Sequence, residues 1–305
     1  MDWDKLVQID DKWIDEHLVN QIVLNDTKLK VRGYSIKFSG NLYKFDSLAD
    51  FAASQIAEFV FGPRKIKELG SVKAYREASK YFGKKDPKTD GKYGELLLFL
   101  FVESVLKCPM VATKLITLTN PVDQVKGGDG IFLGNYEYLP GKSNTACLIG
   151  ESKIMDGFSK CVDDALESLD RFHDHLNSAR FSTFEFNVAR NNLILEDIDI
   201  EYLYNSLKPG TEEFNNNILV HPVFLMYNTK HIGVIEQSAY LKTEAEEMIK
   251  EYLEEKGKVF LKSIQEKLKI YSGLRSVCLD FFIIPVNDVT KFRNAVYFQI
   301  HGTEP

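Results

Sequence analysis

The spacing of apolar positions divides the chain into strand-like and helix-like stretches. Leu29 to Phe38 alternates apolar with polar residues between the punctuating Gly33 and Gly40, which predicts a strand with Asn41 to Phe45 as its hairpin partner. Ser47 stands as an N-cap before Leu48, Phe51, Ala52, Ile56, Phe59 and Val60, a helical stripe ending at Gly62-Pro63. Ser71 to Phe82 reads as a short basic helix. Gly83 to Gly91 reads as a loop and as the best boundary. Lys92 to Leu106 is apolar nearly all round, so it predicts a buried helix. Residues 1–30 show no clear period.

Further on, Ala112 to Leu118 is a strand candidate. A tight turn, Lys126-Gly127-Gly128-Asp129-Gly130, leads into a strand from Ile131 to Leu139. Pro140 to Asn144 turns the chain, and Thr145 to Ile154 returns antiparallel to it. An amphipathic helix from Ser159 to Asn177 follows, then a helical stretch from Phe181 to Asn192. An acidic segment with Glu196, Asp197, Asp199 and Glu201 comes next. Ile218 to Tyr227 predicts a strand, placed at a sheet edge by Pro222. Leu241 to Tyr271 is a long charged helix or helix pair, Val277 to Val286 a buried strand, and Asp288 to Ile300 a final helix. The pattern gives an α/β chain with an αβββαβ core. Residues 1–90 form a small N-terminal α/β module and 91–305 a second domain.

Composition narrows the class. With 44% hydrophobic and 27% charged residues, the chain has enough apolar material for a core without a membrane-length run. Met1-Asp2-Trp3-Asp4 lacks the basic and apolar regions of a signal peptide. Cys108, Cys147, Cys161 and Cys278 have no paired short spacing, which fits buried thiols of a reducing cytoplasm. The net charge of −6 argues against a strong stand-alone nucleic-acid binder. Nine Lys and Arg between Arg64 and Lys88 face Glu68, Glu77 and Asp86, a local balance of +6. That run is either a solvated face or a patch that tracks phosphates, with Lys84, Lys85 and Lys88 as its candidates.

The chemistry centres on Glu151-x-Lys153. On a strand these two side chains share a face, about 6–7 Å apart at Cα. Glu254-Glu255-Lys256 fits the same pattern inside a charged helix, so the strand context carries the signal. Asp129 precedes the partner strand, as a ligand or simply as a turn residue. Glu95 lies among Leu98, Phe99 and Val102 on its helix. It is either paired or cation-bound there, or near enough the helix start to reach solvent or the dipole. His173 and His175 point to different sides of their helix and cannot chelate one metal. Three acidic positions and a lysine in consistent order outweigh any one of them.

These residues resemble the PD-(D/E)xK nuclease superfamily. Asp129 matches its metal-binding Asp, although Gly128 stands where Pro is common. Glu151 and Lys153 match its Glu-x-Lys, and Glu95 the acid on its first core helix. Over roughly residues 90–305 the chain resembles, more narrowly, the HamA family, nuclease subunits of the bacterial Hachiman anti-phage system. Gly94-Glu95, Gly128-Asp129-Gly130, Gly150-Glu151-Ser152-Lys153 and Phe281-Phe282-Ile283-Ile284-Pro285-Val286 carry that likeness. The resemblance implies a restriction-endonuclease-like fold with a mixed sheet and a metal-dependent DNase with little sequence specificity. It also implies restraint by a HamB-like helicase. Asp129 and Glu151 would bind Mg²⁺, with Mn²⁺ as the alternative, and the Ser152 carbonyl would join them. Lys153 would orient the attacking water, and Glu95 would serve an outer shell or a second ion. Two alternatives stand beside it: a catalytically silent nucleic-acid-binding or scaffold subunit on the same fold, and an interaction protein whose Glu-x-Lys is chance.

Overall fold

Seven strands form one mixed sheet in the order β1-β2-β9-β8-β7-β6-β5. They are β1 (Leu18–Asp26), β2 (Leu29–Ile36), β5 (Met110–Ala112), β6 (Gly130–Leu139), β7 (Lys142–Met155), β8 (Ile218–Asn228) and β9 (Cys278–Val286). β3 (Phe38–Ser39) and β4 (Leu42–Tyr43) make a separate two-stranded hairpin. The central pairs β2/β9, β9/β8 and β8/β7 are parallel, and the outer pairs are antiparallel. The computed structural model describes residues 3–83, 86–112, 128–176, 199–208, 210–271 and 273–305. Phe181 to Asn192, Glu196 and Asp197, Lys126 and Gly127, and all but the first residue of the expected strand Ala112 to Leu118 lie outside these residues.

The described helices are α1 (Lys12–His17), α2 (Asp46–Ser54), α3 (Ile56–Leu69), α4 (Ser71–Phe82), α5 (Lys92–Leu106), α6 (Phe158–Leu176), α7 (Ile200–Leu207), α8 (Glu212–Asn216), α9 (Lys230–Ser238), α10 (Lys242–Leu268) and α11 (Val289–His301). The expected break at Gly62-Pro63 is real: Gly62 takes φ 66°, splitting α3 in direction. α5 lies on one face of the sheet. Its Phe101 ring packs on Phe224 of β8, Phe282 of β9 and Tyr34 of β2, at centroid separations of 5.6, 5.1 and 5.0 Å. Alternation along β8 turns Tyr227 to the other face, where Phe158 of α6 meets it and Phe260 of α10. The sheet is therefore covered on both faces, as parallel strands require. α5 is apolar all round because α2 and α3 cover its outer side.

Two sequence expectations change. The antiparallel neighbour of β2 is β1, from the stretch without a clear period, while Asn41 to Phe45 supplies only β4. The sheet and its core therefore run across residue 90: Arg32 of β2 makes a bidentate pair with Asp280 of β9, at 2.8 and 3.0 Å.

The edge position expected for Ile218 to Tyr227 is also corrected. β8 is fourth of seven, hydrogen-bonded on both sides. Successive residues of a strand aim their backbone groups at opposite neighbours. The Gly150 carbonyl accepts from Asp129 on the β6 side, so the Ile149 carbonyl faces β8. In the β7/β8 register its donor would be the N–H of residue 222, and Pro222 has none. The His221 imidazole fills the gap, with Nδ1 2.8 Å from the Ile149 oxygen. His221 Nε2 then accepts from His173 Nε2, 2.8 Å away on α6. Burial pushes the His221 pKa down to about 3, with His173 beside it adding to the shift, so the ring is neutral. A proline is tolerated mid-sheet because a side chain replaces its missing donor.

Candidate active site

The candidate residues gather where β6 begins beside β7. The β6/β7 ladder runs to Gly130 opposite Gly150, and the Asp129 N–H adds one more bond to the Gly150 carbonyl, at 2.8 Å. Asp129 stands just before this ladder, and Glu151 follows its last paired residue on β7. Both are buried, Asp129 at 8% and Glu151 at 6% exposure, which is unusual for carboxylates.

Beyond Gly150 the next N–H of β7 on this edge belongs to Ser152. The Asp129 Oδ2 atom takes it, at 2.8 Å, together with the Ser152 hydroxyl at 2.6 Å. A side chain thus continues the ladder where β6 has ended, and the cost of an unmet buried N–H is avoided. The Ser152 carbonyl leaves β7 on the same edge, beside Asp129. Alternation puts Glu151 and Lys153 together on one face of β7, and they form an ion pair. Glu151 is the buried partner, and Lys153 is about one quarter exposed.

α5 closes the other side. A Cβ on Gly94 would stand 2.9 Å from Ser152 Oγ, and one on Gly150 2.5 Å from Leu98 Cδ2. Both glycines are needed for the helix to lie this close to β7. Glu95 follows Gly94 in the first turn of α5 and is half-buried. One of its carboxylate oxygens lies 3.7 Å from where a Gly91 Cβ would be, so the side chain folds back over the helix start. Among the described residues no three His, Cys, Asp or Glu side chains group as a metal cage. Glu95 therefore meets the centre through the Gly94–Ser152 contact, not as a third member of a cage.

Glu151 and Lys153 pair, Asp129 is bound to Ser152 between them in sequence, and Glu95 follows Gly94, which abuts Ser152. Lys88 is exposed in the turn before α5, while Lys84 and Lys85 lie outside the described residues. The sequence reading gave Ser152 only a carbonyl role and missed its hydroxyl as the anchor of Asp129. Position 152 alternates away from Glu151, so nothing in the spacing pointed to that bond. His173 has a hydrogen-bond partner in His221. His175 carries no side-chain description.

Hard oxygen donors suit a divalent cation of the Mg²⁺ type. Such an ion is held by one or two carboxylates, with waters and phosphate oxygens completing its shell, rather than by an all-protein cage. Asp129 and Glu151 are buried carboxylates of that donor type.

Fold and centre together define a mixed α/β protein with two buried carboxylates and a lysine where paired strands part. Comparison with known families matches HamA over residues 8–300 of 305. The chain belongs to the HamA family. A search of curated proteins returned no match. Among the described residues no helix is long and apolar enough to cross a membrane.

Proposed function

We propose that the chain is a metal-dependent DNase, the effector subunit of a Hachiman-type anti-phage defence complex. HamA membership supports the place in that defence system. The observation that carries the catalytic reading is the pair of buried carboxylates at the end of the β6/β7 ladder, Asp129 hydrogen-bonded to Ser152 and Glu151 paired with Lys153. Asp129 and Glu151 would hold Mg²⁺, or Mn²⁺ in its place. When bound, such an ion supplies Lewis acidity to the scissile phosphate.

The chain's own residues do the rest. Ser152 fixes the Asp129 carboxylate through two hydrogen bonds to one oxygen. Glu151 keeps the Lys153 ammonium at the centre, where its charge offsets the negative charge that grows on the phosphate and its N–H groups orient water. Recognition falls on the phosphate backbone, with little base specificity. A sequence-indifferent DNase endangers its host, and a HamB-like helicase partner restrains it until abnormal DNA releases it.

The test is plasmid degradation by the chain with Mg²⁺, with Mn²⁺ and with EDTA, alongside Glu151→Ala and Lys153→Ala. Cleavage that needs the metal and both side chains supports the reading. Equal activity of wild type and variants would refute it. Co-expression with the helicase addresses restraint: toxicity requiring Glu151 and Lys153 should be suppressed by the partner. Harmlessness of active and mutant forms alike when expressed alone would point to a partner that activates.

A further inference from the structure

Arg293, on α11, sits beside the same edge of β7 and is used by none of the chemistry above. Its Nη2–H donates to the Ile154 carbonyl at 3.0 Å, and its Nη1–H to the Lys88 carbonyl at 2.5 Å. Residues 150, 152 and 154 of β7 aim their backbone groups at one edge. Asp129 takes the groups of Gly150 and Ser152, and Arg293 takes that of Ile154. The guanidinium therefore lies one strand repeat, about 6–7 Å, beyond the Asp129 contact. Lys153 is the residue between them.

The second carbonyl lies in the turn that leads into α5. Asp86 shapes this turn by accepting the Lys88 N–H at 2.9 Å, and Lys88 itself is exposed. Arg293 holds the turn by its backbone and leaves the lysine outward. α11 is in turn fixed to the sheet: the Asp288 carboxylate caps it by accepting from the N–H of Thr290 and Lys291. Asn228 at the end of β8 accepts from the Val289 N–H at 2.7 Å and donates to Asp156 at 3.0 Å. Arg293 Nε is buried without a hydrogen-bond partner among the described residues. Keeping a guanidinium there costs desolvation, and its two carbonyl bonds are what it does in return. A planar guanidinium holds its two donors in a fixed fork, whereas an ammonium is a single rotatable point.

We propose that Arg293 is a positioning residue that clamps the Lys88 turn to the end of β7, so that DNA gripped at the basic turn is presented in register to Lys153. The proposal rests on the nuclease reading and assigns the grip and the chemistry to two elements joined by one side chain.

The test uses the full chain with Mg²⁺ and plasmid DNA, comparing Arg293→Ala, Arg293→Lys and Glu151→Ala. Misplacing a catalytic group by about 1 Å costs on the order of 100-fold in rate. Arg293→Ala is therefore expected to lower kcat by about that factor with KM little changed, and Arg293→Lys to fall between. Amide hydrogen exchange should quicken in residues 88–91 and 154–156 alone, at unchanged melting temperature. A raised KM with a shallower salt dependence would overturn the proposal by making Arg293 a direct phosphate contact. Loss of kcat in step with melting temperature and chain-wide exchange would overturn it as mere destabilisation, and unchanged kcat with unchanged exchange would overturn it outright. If wild type and Glu151→Ala are equally inactive, the nuclease reading fails, and exchange alone then decides whether the clamp exists.

Discussion

If His221 replaces the N–H that Pro222 lacks, removing its imidazole should cost less once residue 222 can donate for itself. His221→Ala takes away the bond to the Ile149 carbonyl and leaves that buried acceptor unmet, at about 1–3 kcal/mol. It also removes the bond from His173, worth about 1 kcal/mol, and opens a cavity in a fully buried site. The total is therefore about 3 kcal/mol or more. Pro222→Ala restores an N–H at the position that the register assigns to Ile149. A double-mutant cycle cancels the cavity and the His173 term, which are common to both backgrounds. The expected coupling is about 1–2 kcal/mol, with His221→Ala milder in the Pro222→Ala background. Urea unfolding followed by circular dichroism, read as a change in midpoint at constant slope, measures each corner. Equal cost of His221→Ala in both backgrounds, within about 0.5 kcal/mol, would refute the repair.

The same imidazole predicts an acid limb. Its folded pKa of about 3 lies below its ordinary 6.5, so between these values the native state binds fewer protons than the unfolded chain. Stability from this group is complete above about pH 6.5 and is lost as the pH falls toward 3, and His221→Ala should flatten the urea midpoint over that window. Gly94→Ala places a methyl 2.9 Å from Ser152 Oγ. It should destabilise by about 1–3 kcal/mol, seen in urea, and lower cleavage further than the unfolded fraction explains. Neutralising Lys84, Lys85 and Lys88 together should weaken DNA binding and reduce the salt slope by about 0.9 per lost phosphate contact. An unchanged slope would leave the basic run a solvated face.

The elements legible in the sequence were those whose period and punctuation agree. Ser71 to Phe82 and Lys92 to Leu106 are helices with those very limits, closed off by Gly70, Gly83 and Gly91. Glu151 and Lys153 were legible because a strand's two-residue period fixes which side chains share a face. β1 escaped because it buries only Leu18 and Ile22 and an irregularity between Asn20 and Ile22 breaks its period. The central place of β8 was hidden because the group that tolerates Pro222 is the neighbouring side chain, steadied by a residue 48 positions away. Ser152 binds Asp129 through its hydroxyl as well as its N–H, and Arg293 binds backbone carbonyls, and no residue pattern announces such bonds.

The parallel pairing of β2 with β9 joins residues 250 apart, and the Arg32–Asp280 bond crosses 248. On a ribosome adding about 5–20 residues per second, the N-terminal hairpin therefore waits roughly 12–50 s for its neighbour. β9 emerges late and is buried along its whole length, so until then β8 has an apolar flank and β2 a missing partner. α11, which carries Arg293, is later still. An incomplete nascent chain thus contains Asp129, Glu151 and Lys153 but lacks the strand and helix that hold β7 in its final setting. Assembly order alone therefore delays the setting of Asp129, Glu151 and Lys153 until β9 and α11 have been made.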